Sequence, residues 1–188
     1  MAFTRRHLPH WIPEEAAIFV TWRLAGSLPL QASPNHGRLT DDKNRSSVPL
    51  NFFRQDEQLD SMRSVSDCLQ DSRVAGVVAN ALLYGEKVRQ LYELHAWAVM
   101  PNHVHAIFQP RAEFATIMRW LKGRTGRVAN QILAHTGKPF WQDESFDHWV
   151  RSAEELHDLI DYVENNPVKA GLVKAKHQWP WSSATRLV

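Results

Sequence analysis

Two apolar runs separated by a two-residue turn constrain this chain more than any other feature. The runs occupy residues 91–100 and 103–109, and Pro101 and Asn102 lie between them. Runs of this length that are rich in β-branched and aromatic residues are typical of buried strands, and Pro followed by Asn suits the centre of a tight turn. Strands joined so closely pair antiparallel. The sequence therefore predicts a β-hairpin.

The rest of the chain alternates strands and helices. Further strands are predicted at residues 16–24 and 146–150, and helices at residues 72–90, at 113–135 and from Ser152 to Pro167. Residues 25–63 contain repeated Gly and Pro without a sustained period, which predicts a long loop with a short helix near residues 52–59. This order favours an α+β fold, in which an antiparallel sheet has its helices packed mainly on one face. We expect residues 1–188 to form a single domain.

Composition limits the class of protein. The chain has 188 residues, a formal charge of +2 and one cysteine, so neither an intrachain disulfide nor a cysteine zinc cluster is expected. No apolar run approaches the ~20 residues of a membrane span, and the basic N-terminus lacks the apolar stretch of a signal peptide. A cytoplasmic protein with no membrane partner is expected. The small net charge does not by itself indicate nucleic-acid binding, so the distribution of the basic residues is the more informative feature.

Basic side chains line one side of the predicted helix at residues 113–135. Arg119, Lys122 and Arg127 lie opposite its apolar face, and Arg124 lies on the flank. Arginine and lysine in such positions can contact phosphates and provide salt-sensitive affinity for DNA. An ordinary solvated helix face is the alternative interpretation.

Two glycines, Gly123 and Gly126, interrupt the same predicted helix. Each costs about 1 kcal/mol relative to alanine inside a helix. The cost is explained if a backbone or a phosphate chain approaches closely there. The alternative is a helix that breaks near Gly123.

Two histidines open the second strand of the hairpin. Residues two apart in a strand point to the same face, so His103 and His105 project together. Val104 and its apolar neighbours then face the helices, which would leave the histidines on the open face of the sheet. Two neighbouring imidazoles can bind one divalent metal if a third ligand is present. Two ordinary, half-buried histidines are the alternative.

The last predicted helix carries a candidate nucleophile. It begins with a capping box of Ser152 and Glu155, and Pro167 is expected to end it. Tyr162 and Asn166 are one turn apart on one edge of its apolar stripe. A tyrosine phenolate can form covalent intermediates, and a metal that polarises a phosphoryl oxygen would favour its attack. A tyrosine at the rim of the core with its hydroxyl in water is the alternative.

Two segments together resemble a known family. "MPNHVHAIF" followed by "LIDYVENNPVKAGLV" is similar to the REP-associated tyrosine transposases, which are HUH single-strand endonucleases related to small insertion-sequence transposases. "FWQDESFDHWVRS" and "WPWSSA" extend the resemblance, which covers roughly residues 16–184. The predicted loop at residues 25–63 is its least typical part.

The resemblance implies a fold, a site and a substrate. The fold would be ferredoxin-like, close to an RNA-recognition-motif sheet. His103 and His105 would bind Mg²⁺ or Mn²⁺, and Tyr162 would be the catalytic tyrosine. Asn166 occupies the place of the third metal ligand, which is a glutamine in the insertion-sequence relatives. The DNA partner would be a single strand with a hairpin from repetitive extragenic palindromes, marked by a guide sequence, and the protein would be a nucleoid-associated monomer or homodimer in a bacterium.

A metal-assisted transesterification follows as a hypothesis from these roles. Tyr162 would attack a phosphate, form a 5′-phosphotyrosine link and leave a 3′-hydroxyl that can later rejoin the strands. Arg5, Arg6 and His7 near the N-terminus are further candidates for contact with the guide sequence. A DNA-binding regulator that does not cleave, and a hydrolase of small phosphoesters, are the alternative functions.

Overall fold

The computed structural model describes residues 16–27 and 67–186. Its elements in chain order are β1 (Ile18–Arg23), α1 (Ser72–Lys87), β2 (Tyr92–Val99), β3 (His103–Pro110), α2 (Phe114–Ile132), β4 (Phe146–Trp149) and α3 (Ala153–Lys169). Short 3-10 helices occupy Cys68–Gln70, Lys176–Gln178 and Ser183–Arg186. Most of the loop predicted at residues 25–63, its short helix, and Arg5, Arg6 and His7 lie outside the described residues. In the part that is described, no helix combines the length and the apolar character of a membrane span.

The four strands form one antiparallel sheet in the order β2-β3-β1-β4. The predicted hairpin is confirmed, since β2 pairs with β3 and the Met100 N–H donates to the His103 carbonyl over 2.9 Å. β1 and β3 therefore lie in the centre of the sheet, with α1 and α2 as the connections around them. This order confirms the predicted α+β, ferredoxin-like fold.

Apolar side chains pack against both faces of the sheet. On one face Trp22, Val104 and Phe108 join the apolar residues of α1 and α2 in the larger core. On the other face Phe19 and Ile107 pack against α3. Of the three α-helices in the described residues, two share a face, as predicted, but the opposite face is covered by α3 and is not open. The sequence shows that α3 has an apolar stripe, yet it does not show which face of the sheet this stripe covers.

The first two α-helices differ from their predicted bounds. α1 ends at Lys87 because the N–H groups of Val88 and Arg89 both donate to the Tyr84 carbonyl and Gln90 then takes a φ of 51°. α2 continues through both of its glycines to Ile132, so the alternative of a break near Gly123 is wrong.

Gly126 provides space for the aromatic side chains that follow α2. A Cβ atom on Gly126 would lie 3.3 Å from Phe140 Cβ and from Trp141 Cδ1. The Trp141 indole N–H also donates to Thr125 Oγ1 over 2.8 Å. At Gly126 the close approach is therefore made by protein side chains and not by a backbone, and a Cβ atom on Gly123 would meet no described atom within 4 Å.

α3 begins as predicted and ends later. The Ser152 hydroxyl accepts from the Glu155 N–H at 3.1 Å. The Glu155 carboxylate does not complete a capping box; it accepts from the Arg151 N–H at 2.7 Å and contacts His148 Nε2 at 2.9 Å, which holds the first turn of α3 to β4.

The prediction that Pro167 ends α3 is wrong. The helix includes Pro167 and runs to Lys169. A proline so close to the end of a helix removes one hydrogen bond without stopping the last turn, and the Ala170 N–H still donates to the Asn166 carbonyl over 2.9 Å. These two additional residues bring Lys169 onto the helix that carries Tyr162.

Candidate active site

The histidine pair lies in the centre of the sheet, between β1 and α3. His103 and His105 are both 0% exposed. Their Nε2 atoms are 2.9 Å apart. The Nδ1 atom of His103 is 2.7 Å from Asn102 Oδ1, and the Nδ1 atom of His105 is 2.7 Å from Thr21 Oγ1. Both rings are thus held by a hydrogen bond on the nitrogen that faces away from the pair.

These contacts fix the proton position on His103 and leave two arrangements for His105. Asn102 Oδ1 only accepts, so the His103 Nδ1 donates to it and leaves Nε2 of the neutral ring with a lone pair. The Thr21 hydroxyl both donates and accepts. If the Thr21 hydroxyl donates to Nδ1, the proton of His105 is on Nε2, which then donates to His103 Nε2. If the Thr21 hydroxyl accepts, the proton of His105 is on Nδ1, and the Nε2 atoms of both histidines present lone pairs toward one point. The second arrangement is the one that a metal-binding histidine pair requires.

The separation of the two Nε2 atoms fits a shared cation. Two nitrogens that are each about 2.1 Å from one ion, at right angles, lie about 3.0 Å apart. Within residues 16–27 and 67–186, no third His, Cys, Asp or Glu side chain joins the pair. A third ligand among these residues would be of another type, and Asn166 is a candidate, since it is 1% exposed on α3 one turn after Tyr162.

Tyr162 packs beside the pair. Its ring centroid is 6.0 Å from that of His105, with the planes at 70°. Phe19 stacks on His105 and presents its edge to Tyr162, with centroids 5.8 and 6.3 Å apart. Tyr162 is half-buried. The packing matches a tyrosine at the rim of the core, and it also places the phenol next to the candidate metal ligands.

A lysine that was not among the predicted site residues lies over the tyrosine. The Lys169 ammonium is 4.4 Å from the centroid of the Tyr162 ring. This contact depends on the extension of α3 beyond Pro167. The signal in the sequence was the spacing of seven residues, two helical turns, which places both residues on one side of a helix.

The C-terminal segment fixes the position of α3. Glu164, which is 8% exposed, accepts from Lys176 Nζ at 2.9 Å and from Ser183 Oγ at 3.0 Å. The hydrogen bond to Glu164 raises the pKa of Lys176. The same segment is tied to the sheet, because the Val99 N–H donates to the Trp181 carbonyl over 2.8 Å. The helix that carries Tyr162 is thus linked to the edge strand β2 as well as to the core.

The basic residues predicted to contact DNA lie on the other face of the sheet. Arg119, Arg124 and Arg127 are exposed on α2, and α2 packs on the face opposite the histidine pair. The Arg124 guanidinium lies 5.3 Å from the ring centroid of Tyr84. The structure therefore does not bring these predicted DNA contacts and the predicted metal ligands together.

Lys122 differs from the three arginines. Its ammonium donates to the carbonyls of Gln142, Asp143 and Glu144 at 3.0–3.2 Å. Burial lowers the pKa of Lys122 to about 8. All three N–H groups are engaged within the chain, so the side chain holds the segment before β4 and is less suited to DNA than its neighbours.

Comparison with known proteins agrees with the fold. A family model described as "Transposase IS200 like" matches residues 79–166, a range that contains both histidines, Tyr162 and Asn166. Over this range the chain is similar to the IS200-like transposases.

Two curated relatives specify the resemblance further. The chain is 32% identical over 97 residues to a REP-associated tyrosine transposase of Escherichia coli K12, a match of 50% of this chain and 56% of the relative. A second relative of this kind, from Haemophilus influenzae Rd, is 28% identical over 106 residues, a match of 50% of this chain and 60% of the relative. The chain thus spans little more than half the length of these relatives. The matches confirm the predicted resemblance to the REP-associated tyrosine transposases.

A solved structure shows the same fold. It is that of a REP-associated tyrosine transposase bound to a REP hairpin. The comparison covers 99% of this chain and 84% of the other, with a TM-score of 0.60 and 21% sequence identity. At this identity the likeness establishes the fold.

Proposed function

We propose that this protein cleaves and rejoins single-stranded DNA that carries a hairpin from a repetitive extragenic palindrome, with Tyr162 as the nucleophile. The observation that carries the proposal is the contact between Tyr162 and His105, whose ring centroids are 6.0 Å apart, beside two Nε2 atoms separated by 2.9 Å. The choice of substrate is supported by the relative that was solved with a REP hairpin.

The reaction is a balanced exchange of phosphodiester bonds. The Tyr162 phenolate oxygen attacks the phosphorus, and the bond from phosphorus to the 3′ oxygen breaks. The departing oxygen keeps the electron pair and takes a proton, which leaves a free 3′-hydroxyl and a 5′-phosphotyrosine link. Attack of a 3′-hydroxyl on that link reverses the step and rejoins strands.

The residues around Tyr162 supply the charge that this step needs. The Lys169 ammonium, 4.4 Å from the ring centroid, stabilises negative charge on the phenol. His103, His105 and Asn166 would hold Mg²⁺ or Mn²⁺. When bound there, the cation would withdraw charge from a non-bridging phosphate oxygen. Asn102 and Thr21 keep both imidazoles turned toward that position.

DNA binding divides between the two faces of the sheet in this proposal. The exposed arginines of α2 are available for phosphates of the hairpin stem, whereas the strand to be cut runs to Tyr162 on the opposite face. Neutral substitution of any one of these arginines should then weaken stem binding and lower its salt dependence, without changing which phosphate is cut.

The direct test is covalent adduct formation with hairpin oligonucleotides from the protein's own genome, in Mg²⁺ or Mn²⁺. We expect wild type to form a protein–DNA adduct and Tyr162→Phe to bind the same DNA without forming one. Tyr84→Phe, which changes a tyrosine on the far side of the sheet, is the matched control and should cleave normally. Binding by wild type without any adduct would favour the regulator, and turnover of nitrophenyl phosphate without an adduct would favour the small-phosphoester hydrolase.

A further inference from the structure

Arg23 ends β1 directly across the ladder from His103. The two residues are partners in the antiparallel register, as Thr21 and His105 are two positions earlier. The hydrogen bond between Thr21 and His105 shows that both side chains point to the same face. Since residues two apart in a strand share a face, the side chain of Arg23 lies on that face too. The neighbours Trp22 and Leu24 face the opposite way, into the core with α1 and α2.

The guanidinium of Arg23 is partly withdrawn from water. The side chain is half-buried, and burial lowers the pKa of Arg23 while Glu144 opposes the shift. Arginine nonetheless keeps its charge. Among the hydrogen bonds and ion pairs that join described residues to one another, none engages this guanidinium. A cation in such a place is costly unless it is paired, and its fork of donors fits the oxygens of a phosphate.

The position of Arg23 relative to the proposed site decides which phosphate it can reach. Directly opposed residues of an antiparallel pair have Cβ atoms about 4.5–5.5 Å apart, so the side chains of Arg23 and His103 start from neighbouring points. His103 in turn contacts His105, and His105 contacts Tyr162. A phosphate placed for attack by Tyr162 would therefore lie within reach of the Arg23 side chain.

We propose that Arg23 is a catalytic residue that binds a non-bridging oxygen of the scissile phosphate and stabilises the negative charge that builds up as Tyr162 attacks. The proposal rests on the function proposed above. It adds a positive charge to the site from β1, which is independent of α3 and of any metal. The cross-strand register is the signal that reveals it, since Arg23 and His103 are far apart in the sequence.

The test compares Arg23→Gln with wild type in single-turnover adduct formation. A preorganised donor to a developing oxyanion contributes about 100-fold or more to the rate, so we expect a loss of that size. Arg111→Gln removes an equal charge from an exposed ion pair with Glu93 and is the matched control. Arg23→Lys keeps the charge without the fork and should recover part of the rate. Circular dichroism and the unfolding midpoint establish that each variant is folded.

A substrate with an uncharged methylphosphonate at the cleavage position separates charge stabilisation from a structural role. If Arg23 acts on the phosphate charge, the ratio of wild-type to Arg23→Gln rates should fall toward one on this substrate. Two results would overturn the role of Arg23 and leave the proposed function standing. One is a ratio of wild-type to Arg23→Gln rates that is equal on both substrates, and the other is an Arg23→Gln variant that cleaves ordinary DNA at the wild-type rate. Failure of wild type to form an adduct on any hairpin DNA overturns the proposed function, and the role of Arg23 with it.

Discussion

Replacement of Thr21 by valine tests whether the histidine pair is a metal site. Valine keeps the β-branched shape, so the packing of β1 should persist, but His105 Nδ1 loses its partner at 2.7 Å. The unsatisfied nitrogen then favours the ring form with the proton on Nε2, where that proton points at His103 Nε2 only 2.9 Å away. The lone pair that a cation needs is lost in that form.

The size of the effect follows from this buried contact. Leaving a buried donor without its acceptor costs about 1–3 kcal/mol, and each 1.4 kcal/mol is about tenfold in an equilibrium constant. We therefore expect the Mn²⁺ concentration that gives half-maximal adduct formation to rise by between about fivefold and about a hundredfold. The rate at saturating Mn²⁺ should recover toward that of wild type, because Tyr162 is not disturbed.

The assay is the initial rate of adduct formation across a Mn²⁺ titration, with direct calorimetric titration of the metal beside it. Thr125→Val is the matched control: it removes a buried hydroxyl that accepts from Trp141 at 2.8 Å on the other side of the sheet. This control should lower stability and leave the Mn²⁺ midpoint unchanged. An unshifted midpoint in a folded Thr21→Val protein would refute the assignment of the histidine pair as metal ligands.

Three further predictions address other parts of the molecule. Lys169→Gln should slow adduct formation about two- to fivefold, the value of an exposed cation–π contact; an unchanged rate would remove this lysine from the mechanism. Glu164→Gln weakens the hydrogen bond with Lys176 and should lower the free energy of unfolding by about 1 kcal/mol, which is a fall of about 3 °C in the unfolding midpoint. A midpoint equal to that of wild type would contradict a stabilising role of this hydrogen bond. Because burial lowers the pKa of Lys122 from 10.5 to about 8, the unfolded chain binds more protons between those values, and the wild-type free energy of unfolding should rise with pH across that window. Lys122→Met should abolish this rise in denaturant titrations; the same slope in both proteins would contradict the shift.

Features set by neighbours in the sequence were predictable. The hairpin around Pro101 and Asn102 is confirmed, because its period of two and its turn chemistry are local properties. The same period correctly put His103 and His105 on one side and Val104 on the other.

Features set by tertiary packing were not predictable. A lysine on the polar side of α2 looks solvated in the sequence, but Lys122 is captured by carbonyls about 20 residues further along the chain. The burial of the histidine pair likewise depends on where α3 packs, which its apolar stripe does not specify. Pro167 shows the limit of a local rule, since a proline that would disrupt the middle of a helix is accommodated in its last turn.

The proposed site combines two parts that are held by different contacts. The histidines are fixed by Thr21 on β1 and by Asn102 in the turn before β3, and β1 and β3 are the two central strands of the sheet. Tyr162 is fixed by α3, which Glu164 ties to the C-terminal segment. Thr21→Val should then shift the metal dependence, whereas Glu164→Gln should lower the rate at saturating metal. If the two parts are independent, the two substitutions should change the activation free energy of adduct formation, measured at one fixed Mn²⁺ concentration, additively. The double variant should then match the sum of the single variants within about 0.5 kcal/mol. A larger coupling would mean that α3 takes its position from the occupied histidine pair, and the nucleophile would then be set in place by metal binding itself.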